Sequence, residues 1–342
     1  MSLSVGTAVS TLSSAATQIA DARLVQRLSE MQSLLRDELR WVEQVLSEAA
    51  PEGAEPALSA ARHLIAGGGK RVRPTAVMLS AACFGGIPMA AREMGVVVEL
   101  VHNATLLHDD VIDEGMERRA KTTPRLLFSN SISVLAGDTL LVHSLQRTNS
   151  VAPELLPGLL ETLQRLVAGE VVQLRGRGAL DLSLETYEQI LNDKTASLFR
   201  FATTSGAYLG GASSGEREAL GVFGERIGMA FQLVDDVLDY VGEDSGKSIC
   251  TDLKEGKVTL PLVLAVESDS SLVHQIRAIQ LGDDDAVLEL QQRVMSSGAC
   301  DQVRARARSE TQLALDALDS VPDCPARSLL TAVARQLVDR AS

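Results

Sequence analysis

Apolar residues recur at helical spacing along most of the chain. From Asp21 to Ala49, the positions Leu24, Leu28, Met31, Leu34, Leu35, Leu39, Val42, Val45 and Leu46 form the stripe of a helix that buries one face. Pro51 to Pro56 is a turn. A second helical stretch leads to Gly67-Gly68-Gly69, and Pro74 falls in the first turn of the helix that follows, where its missing N–H is tolerated. The pattern predicts further helices over 74–84, 90–113, 130–147, 153–176, 184–210, 214–240, 257–267, 271–280, 285–296, 299–320 and 325–340. Gly85-Gly86, Pro153, Gly178, Ser213-Ser214 and the 242–247 loop punctuate them. With no linker, low-complexity tract or fixed-period repeat, the reading is all-α: one helical domain over 21–342 behind a disordered segment, 1–20.

Composition supports this and narrows the function. Apolar residues are 45% of the chain and aromatics only 3%, a Leu- and Ala-rich profile that suits helices better than strands. A net charge of −13 argues against a nucleic-acid partner, while a local cluster of cations or bound metal still permits an anionic substrate. Cys83, Cys250, Cys300 and Cys324 show no paired spacing and read as scattered reduced thiols of a cytoplasmic protein. No apolar run reaches the ~18 residues that span a bilayer; the stretch from Val96 to Leu107 is interrupted by Glu99, His102 and Asn103. Residues 1–20 carry no basic residue and so lack the charged start of a signal peptide.

Two acidic motifs change the picture. ELVHNATLLHDDVIDEG and AFQLVDDVLDYVGED each contain DDxxD, and Asp109/Asp113 and Asp235/Asp239 are i,i+4 pairs on one face of their helices. Like charges at that spacing repel, and both pairs follow apolar residues, which places them at the rim of a buried face. Facing each other, they would offer hard oxygen ligands to Mg²⁺, which binds a few carboxylates together with substrate phosphates. By contrast, Asp283-Asp284-Asp285 follows Gly282 and opens a helix, and reads as a solvated helix N-terminus.

Cations bracket both motifs. Gly69-Lys70-Arg71-Val72-Arg73-Pro74 places three of them on a glycine-rich turn before a helix, without the Ser/Thr or preceding strand of a P-loop. Arg118-Arg119 follow the first acidic helix, Lys247 follows the second, Lys257 closes DLKEGK, and Lys194 lies in NDKTASLF. In a net-acidic chain this arrangement points to two polyanions, one on the metals and one on cations alone.

GGGKRVRP, LLHDDVIDEGMERR, GEVVQL, KTASLF and FQLVDDVLDYVGEDSGKSICTDLKEGKVTLPL, in this order, resemble the trans-type polyprenyl diphosphate synthases, most closely the medium- and long-chain bacterial members of the octaprenyl type, from about residue 25 to the C-terminus. The resemblance implies an all-helical homodimer of the isoprenoid synthase type with a deep central cavity. It implies condensation of isopentenyl diphosphate with an allylic diphosphate (dimethylallyl, geranyl, farnesyl or geranylgeranyl) on three Mg²⁺ ions. Carried over by position, Asp109, Asp113 and Asp235 hold the metals, with Asp239 acting mainly through water. Arg118, Lys194 and Lys257 grip the allylic diphosphate, with Lys247 nearby; Lys70, Arg73, His102 and Arg119 hold isopentenyl diphosphate. Thr195 and Gln232 face the developing allylic cation, and no side chain stands out as a dedicated base. Ala120 departs from the glycine usual after the arginine pair, which bears on local loop shape.

The same resemblance makes the residues upstream of Asp109 a product ruler. Short-chain members tend to carry an aromatic near positions 104 or 105, whereas Ala104 and Thr105 are small here, with Val101 a further turn away. The first motif also lacks the two-residue insertion of many farnesyl-type enzymes. Both features predict a product longer than C15, with C20 and C30–C50 open, and Leu141, Leu145 and Val134 as the other wall. The rival readings are a class I terpene cyclase and a non-catalytic subunit of a heteromeric synthase.

Overall fold

The structure, a computed structural model, describes residues 22–48, 54–119, 121–241, 250–283 and 285–339. The segment 1–20, Ala120 and Lys247 lie outside them. The chain is all-α: α1 (Ala22–Glu48), α2 (Ala57–Ile65), α3 (Val72–Ala82), α4 (Met89–Ile112), α5 (Pro124–Leu127), α6 (Asn130–Val151), α7 (Leu156–Ala179), α8 (Leu184–Ile190), α9 (Ser197–Gly210), α10 (Ser214–Val241), α11 (Thr251–Lys254), α12 (Leu260–Ser268), α13 (Leu272–Gln280), α14 (Ala286–Ser296), α15 (Ala299–Ala317) and α16 (Pro325–Asp339). Glu117–Arg118 and Lys121–Thr122 pair as a two-residue antiparallel ladder that the helical pattern did not anticipate.

Packing divides the chain into two compact units, one built from 1–160, 201–221 and 318–333, the other from 161–200, 222–317 and 334–342. In the first, the C-terminal part of the predicted α1 stripe is buried: Leu35, Leu39, Val42 and Leu46 are fully inaccessible and Val45 is partly buried. α4 is its central helix, with Val96 to Val98, Leu100, Val101, Ala104 and Leu107 at 0% exposure. Close helix contact there depends on missing side chains. A Cβ at Gly206 of α9 would run into the carbonyl of Val77 on α3, and one at Gly210 would stand 2.6 Å from the Ala81 carbonyl oxygen. Cys324, just before α16, donates its thiol to the backbone carbonyl of Cys83 at the end of α3, at 3.9 Å. Two cysteines without paired spacing in the sequence therefore meet in space.

The second unit has its own core, in which Leu233, Val234, Val237 and Tyr240 of α10 pack with Leu253, Leu260, Leu262, Ile276, Leu290 and Val303. Between α8 and α9, where the pattern predicts one uninterrupted helix over 184–210, a π-helical turn occupies Leu191–Ala196. Such turns insert a residue into the helical ladder and cluster at functional sites. This one carries Lys194 and Thr195.

Candidate active site

Both acidic motifs lie at the C-terminal ends of long helices, Asp109 and Asp110 in the last turn of α4 with Asp113 as its C-cap, Asp235 to Asp239 in the final turns of α10. A helix C-terminus carries partial negative charge, so each carboxylate there costs a few tenths to about 1 kcal/mol. Stability alone would not place six there.

Within each motif the aspartates divide the same way. Asp109 and Asp113, like Asp235 and Asp239, are half-buried, whereas the second residue of each motif is buried, Asp110 at 1% and Asp236 at 2% exposure. Residue i+1 is turned about 100° from residue i on a helix, which carries it onto the apolar face. Asp110 Oδ1 accepts from Arg118 Nε at 2.7 Å. Asp236 accepts from Tyr187 Oη at 2.7 Å, from the Leu260 amide at 3.1 Å and from Gln232 Nε2 at 3.0 Å. Burial raises the Asp236 carboxyl to about 7 against the pull of these donors. Arg118, expected on a diphosphate, is thus tied to the motif itself.

Asp239 keeps one carboxylate oxygen unsatisfied. Its Oδ1 accepts from the Thr251 amide at 2.9 Å, and its Oδ2 is buried with no hydrogen-bond partner. Burial, then the neighbouring Asp252 charge, pushes its pKa up to about 7. A divalent cation would relieve both conditions, and carboxylate oxygens are the donors Mg²⁺ prefers. Among the described residues, no three His, Cys, Asp or Glu side chains converge on one metal position.

The cation cluster of the first unit surrounds His102, on α4 two turns before Asp109. Burial, then Arg73, Arg119, Arg118 and Arg71, hold its imidazole pKa well below the usual value, so the ring is neutral at pH 7. Gly68, at φ 75, and Gly69 bring the loop to these groups: a Cβ at Gly69 would stand 3.0 Å from Arg71 Nη1 and 3.2 Å from Arg119 Nη2. Lys70 is exposed and Arg73 half-buried in the first turn of α3. A neutral histidine ringed by guanidinium groups is a locally cationic environment.

In the second unit, Thr195 Oγ1 donates to Gln232 Oε1 at 3.2 Å, so the two groups expected to face an allylic cation are brought together. Gln232 is oriented in turn by Asp236. Lys194 Nζ pairs with Glu170 and donates to Gln173 Oε1 at 3.2 Å. Lys257 pairs with Glu255 at 2.5 Å and lies 3.8 Å from Asp252. Sequence reasoning missed Asp110, Asp236, Tyr187 and Glu170 as site residues. The i+1 rotation of the buried aspartates was available as a signal; the Glu170–Lys194 pair, separated by 24 residues, had none. Ala104 and Val101 are fully buried, while Thr105 is half-exposed and donates to the His102 carbonyl at 2.8 Å.

Comparison with known proteins agrees with this reading. The family profile of polyprenyl synthetases matches residues 55–294. The octaprenyl diphosphate synthase of Escherichia coli K12 is 37% identical over 284 residues, covering 81% of this chain and 88% of the relative. Heptaprenyl diphosphate synthase component 2 of Geobacillus stearothermophilus is 36% identical over 311 residues, covering 89% of this chain and 96% of the relative. A polyprenyl synthase of Caulobacter crescentus, crystallised with calcium and isoprenyl diphosphate, superposes with a TM-score of 0.85 at 32% identity, covering 92% of this chain and 98% of that one. The chain belongs to the polyprenyl synthetase family and is a prenyltransferase that builds linear polyprenyl diphosphates.

Proposed function

We propose that the protein extends an allylic diphosphate with isopentenyl diphosphate, on three Mg²⁺ ions, to an all-trans product longer than C15, and that it works as a cytoplasmic homodimer. The observation that carries the reading is the cluster of Arg73, Arg118, Arg119 and neutral His102 on the helix that ends in Asp109 and Asp113. Cations at that density are balanced by a bound polyanion, and carboxylates two turns further on suit the metal that accompanies a second one.

Asp109, Asp113 and Asp235 are the proposed metal ligands, with Asp239 acting mainly through water. Bound Mg²⁺ neutralises the charge that develops on the leaving diphosphate. Arg118, Lys194, Lys257 and Lys247 hold the allylic diphosphate; Lys70, Arg73, Arg119 and His102 hold isopentenyl diphosphate. Asp110 and Glu170 aim Arg118 and Lys194. The Thr195 and Gln232 oxygens turn their negative ends to the allylic carbon as it becomes electron-poor. The double bond of isopentenyl diphosphate attacks that carbon, and the proton lost passes to the departed diphosphate, since among the described residues no side chain stands out as a dedicated base.

Product length is set by the residues upstream of Asp109, with Thr105, partly exposed on the face that carries Asp109, small enough to leave room for a long chain. The E. coli relative, named for an octaprenyl product, supports the long-chain reading. The Geobacillus relative is named as one component of a synthase, which supports a second reading: a catalytic subunit that needs a partner chain. Incubating the purified chain alone with Mg²⁺, radiolabelled isopentenyl diphosphate and farnesyl diphosphate, and sizing the product by mass spectrometry, tests both. A product of C20 or longer, abolished by EDTA, supports the first reading. No product from the chain alone overturns it and leaves the subunit reading.

A further inference from the structure

We propose that Arg71, which is not among the substrate ligands, is the positioning residue of the isopentenyl diphosphate subsite, and that it sets Lys70 and Arg73 by forking onto Glu43 and Glu99. The inference rests on the reading of that subsite.

Arg71 is 2% exposed and Glu99 is 2% exposed. Arg71 Nε and Nη2 donate to the two carboxylate oxygens of Glu43 at 2.6 and 3.0 Å, and Nη1 donates to Glu99 Oε1 at 2.5 Å. With every guanidinium nitrogen engaged and the side chain 1% accessible, Arg71 cannot be a direct diphosphate ligand. Its backbone explains what it does instead. Arg71 sits at φ 48, the left-handed region that side chains disfavour, as the N-cap of α3. That conformation turns the chain between Lys70, left exposed, and Arg73 in the first helical turn. The Arg71 carbonyl also accepts from Thr75 Oγ1 at 2.8 Å, closing the turn onto the helix. The side chain is what holds the disfavoured turn.

The partners fix the register of that turn. Glu99 is one helical turn before His102 on α4, so the Arg71–Glu99 bond sets the loop against the helix that carries His102 and Asp109. Glu43 comes from α1, so the first helix takes part in the subsite through Arg71. Two carboxylates against one guanidinium also offset the mutual repulsion of Arg71, Arg73 and Arg119 around His102. Lysine keeps the charge of Arg71 and loses the planar fork that serves two carboxylates at once.

The test is steady-state kinetics of the full chain with Mg²⁺, varying isopentenyl diphosphate and farnesyl diphosphate separately. Arg71→Lys is expected to raise KM for isopentenyl diphosphate on the order of tenfold and to leave that for farnesyl diphosphate within about twofold. Glu43→Gln, at a site 25% exposed, is expected to raise the same KM by a smaller factor and decides the matter if Arg71→Lys does not fold. If both constants move together, or only the thermal midpoint falls, Arg71 is merely structural and the inference is overturned. Arg73→Ala is the reference. If it raises KM for isopentenyl diphosphate and the Arg71 and Glu43 variants do not, this inference alone fails. If Arg73→Ala leaves that KM unchanged, the subsite reading fails and the inference falls with it.

Discussion

At Asp110 the carboxylate is buried against Arg118, while Asp109 beside it is half-buried at the end of the same helix. Substitution should therefore separate the two. Asp109→Ala is expected to cost orders of magnitude in turnover with an unchanged thermal midpoint; near-normal activity would remove Asp109 from the metal site. Asp110→Ala strands the Arg118 guanidinium and is expected to destabilise the fold by about 2 kcal/mol, read by urea unfolding. A motif written DDxxD gives both residues the same letter, and only the helical rotation distinguishes them. His102 makes a pH prediction. Its folded pKa lies below its unfolded one, so as pH falls through 6.5 the unfolded chain takes up a proton that the folded chain does not. Its contribution to stability is therefore lost on acidification, and His102→Gln should flatten the wild-type slope of unfolding free energy between pH 7 and 5. Equal slopes in the two proteins would mean that His102 is not held neutral.

Helix positions were legible from apolar periodicity because most helices here bury one face: α4 and α10 begin and end within a residue of the prediction. What periodicity could not show lies where a helix departs from 3.6 residues per turn or where backbones approach closely. The π-turn at Leu191–Ala196 interrupts a stretch whose apolar spacing reads as one helix, and it brings Lys194 to Glu170 and Thr195 to Gln232. The ladder of 117–118 with 121–122 is too short for an alternating pattern to register. Gly206 and Gly210, one turn apart on α9, look like ordinary helix-weakening glycines until their contacts with the carbonyls of Val77 and Ala81 are seen. Gly206→Ala should therefore lower stability by roughly 2–3 kcal/mol through overpacking, although alanine is the better helix former. A raised thermal midpoint in that variant would show that the contact relaxes without cost.

For the molecule as a whole, the family was visible in one sequence, because its motifs carry residue type and spacing together. Their supports were not, since Glu43, Glu170 and Tyr187 reach the site across distances in sequence that no local pattern spans. Product length belongs to this scale too. Thr105→Phe, on the half-exposed face that also carries Asp109, is expected to shorten the product with turnover retained, and mass analysis of the prenyl chain reads it out. An unchanged product would move the ruler elsewhere; Ala104→Phe, at a fully buried position, should instead cost stability through overpacking.

The match to the family profile begins at residue 55, twelve residues after Glu43. The counter-ion of Arg71 therefore lies outside that profile, on the first helix. A chimera joining the first helix of one polyprenyl synthetase to the body of another at that boundary cuts between an arginine and its carboxylate. Such hybrids should fold and still bind isopentenyl diphosphate poorly unless both parents carry a glutamate at that turn. Choosing parents by the family segment alone would not reveal which pairs are compatible.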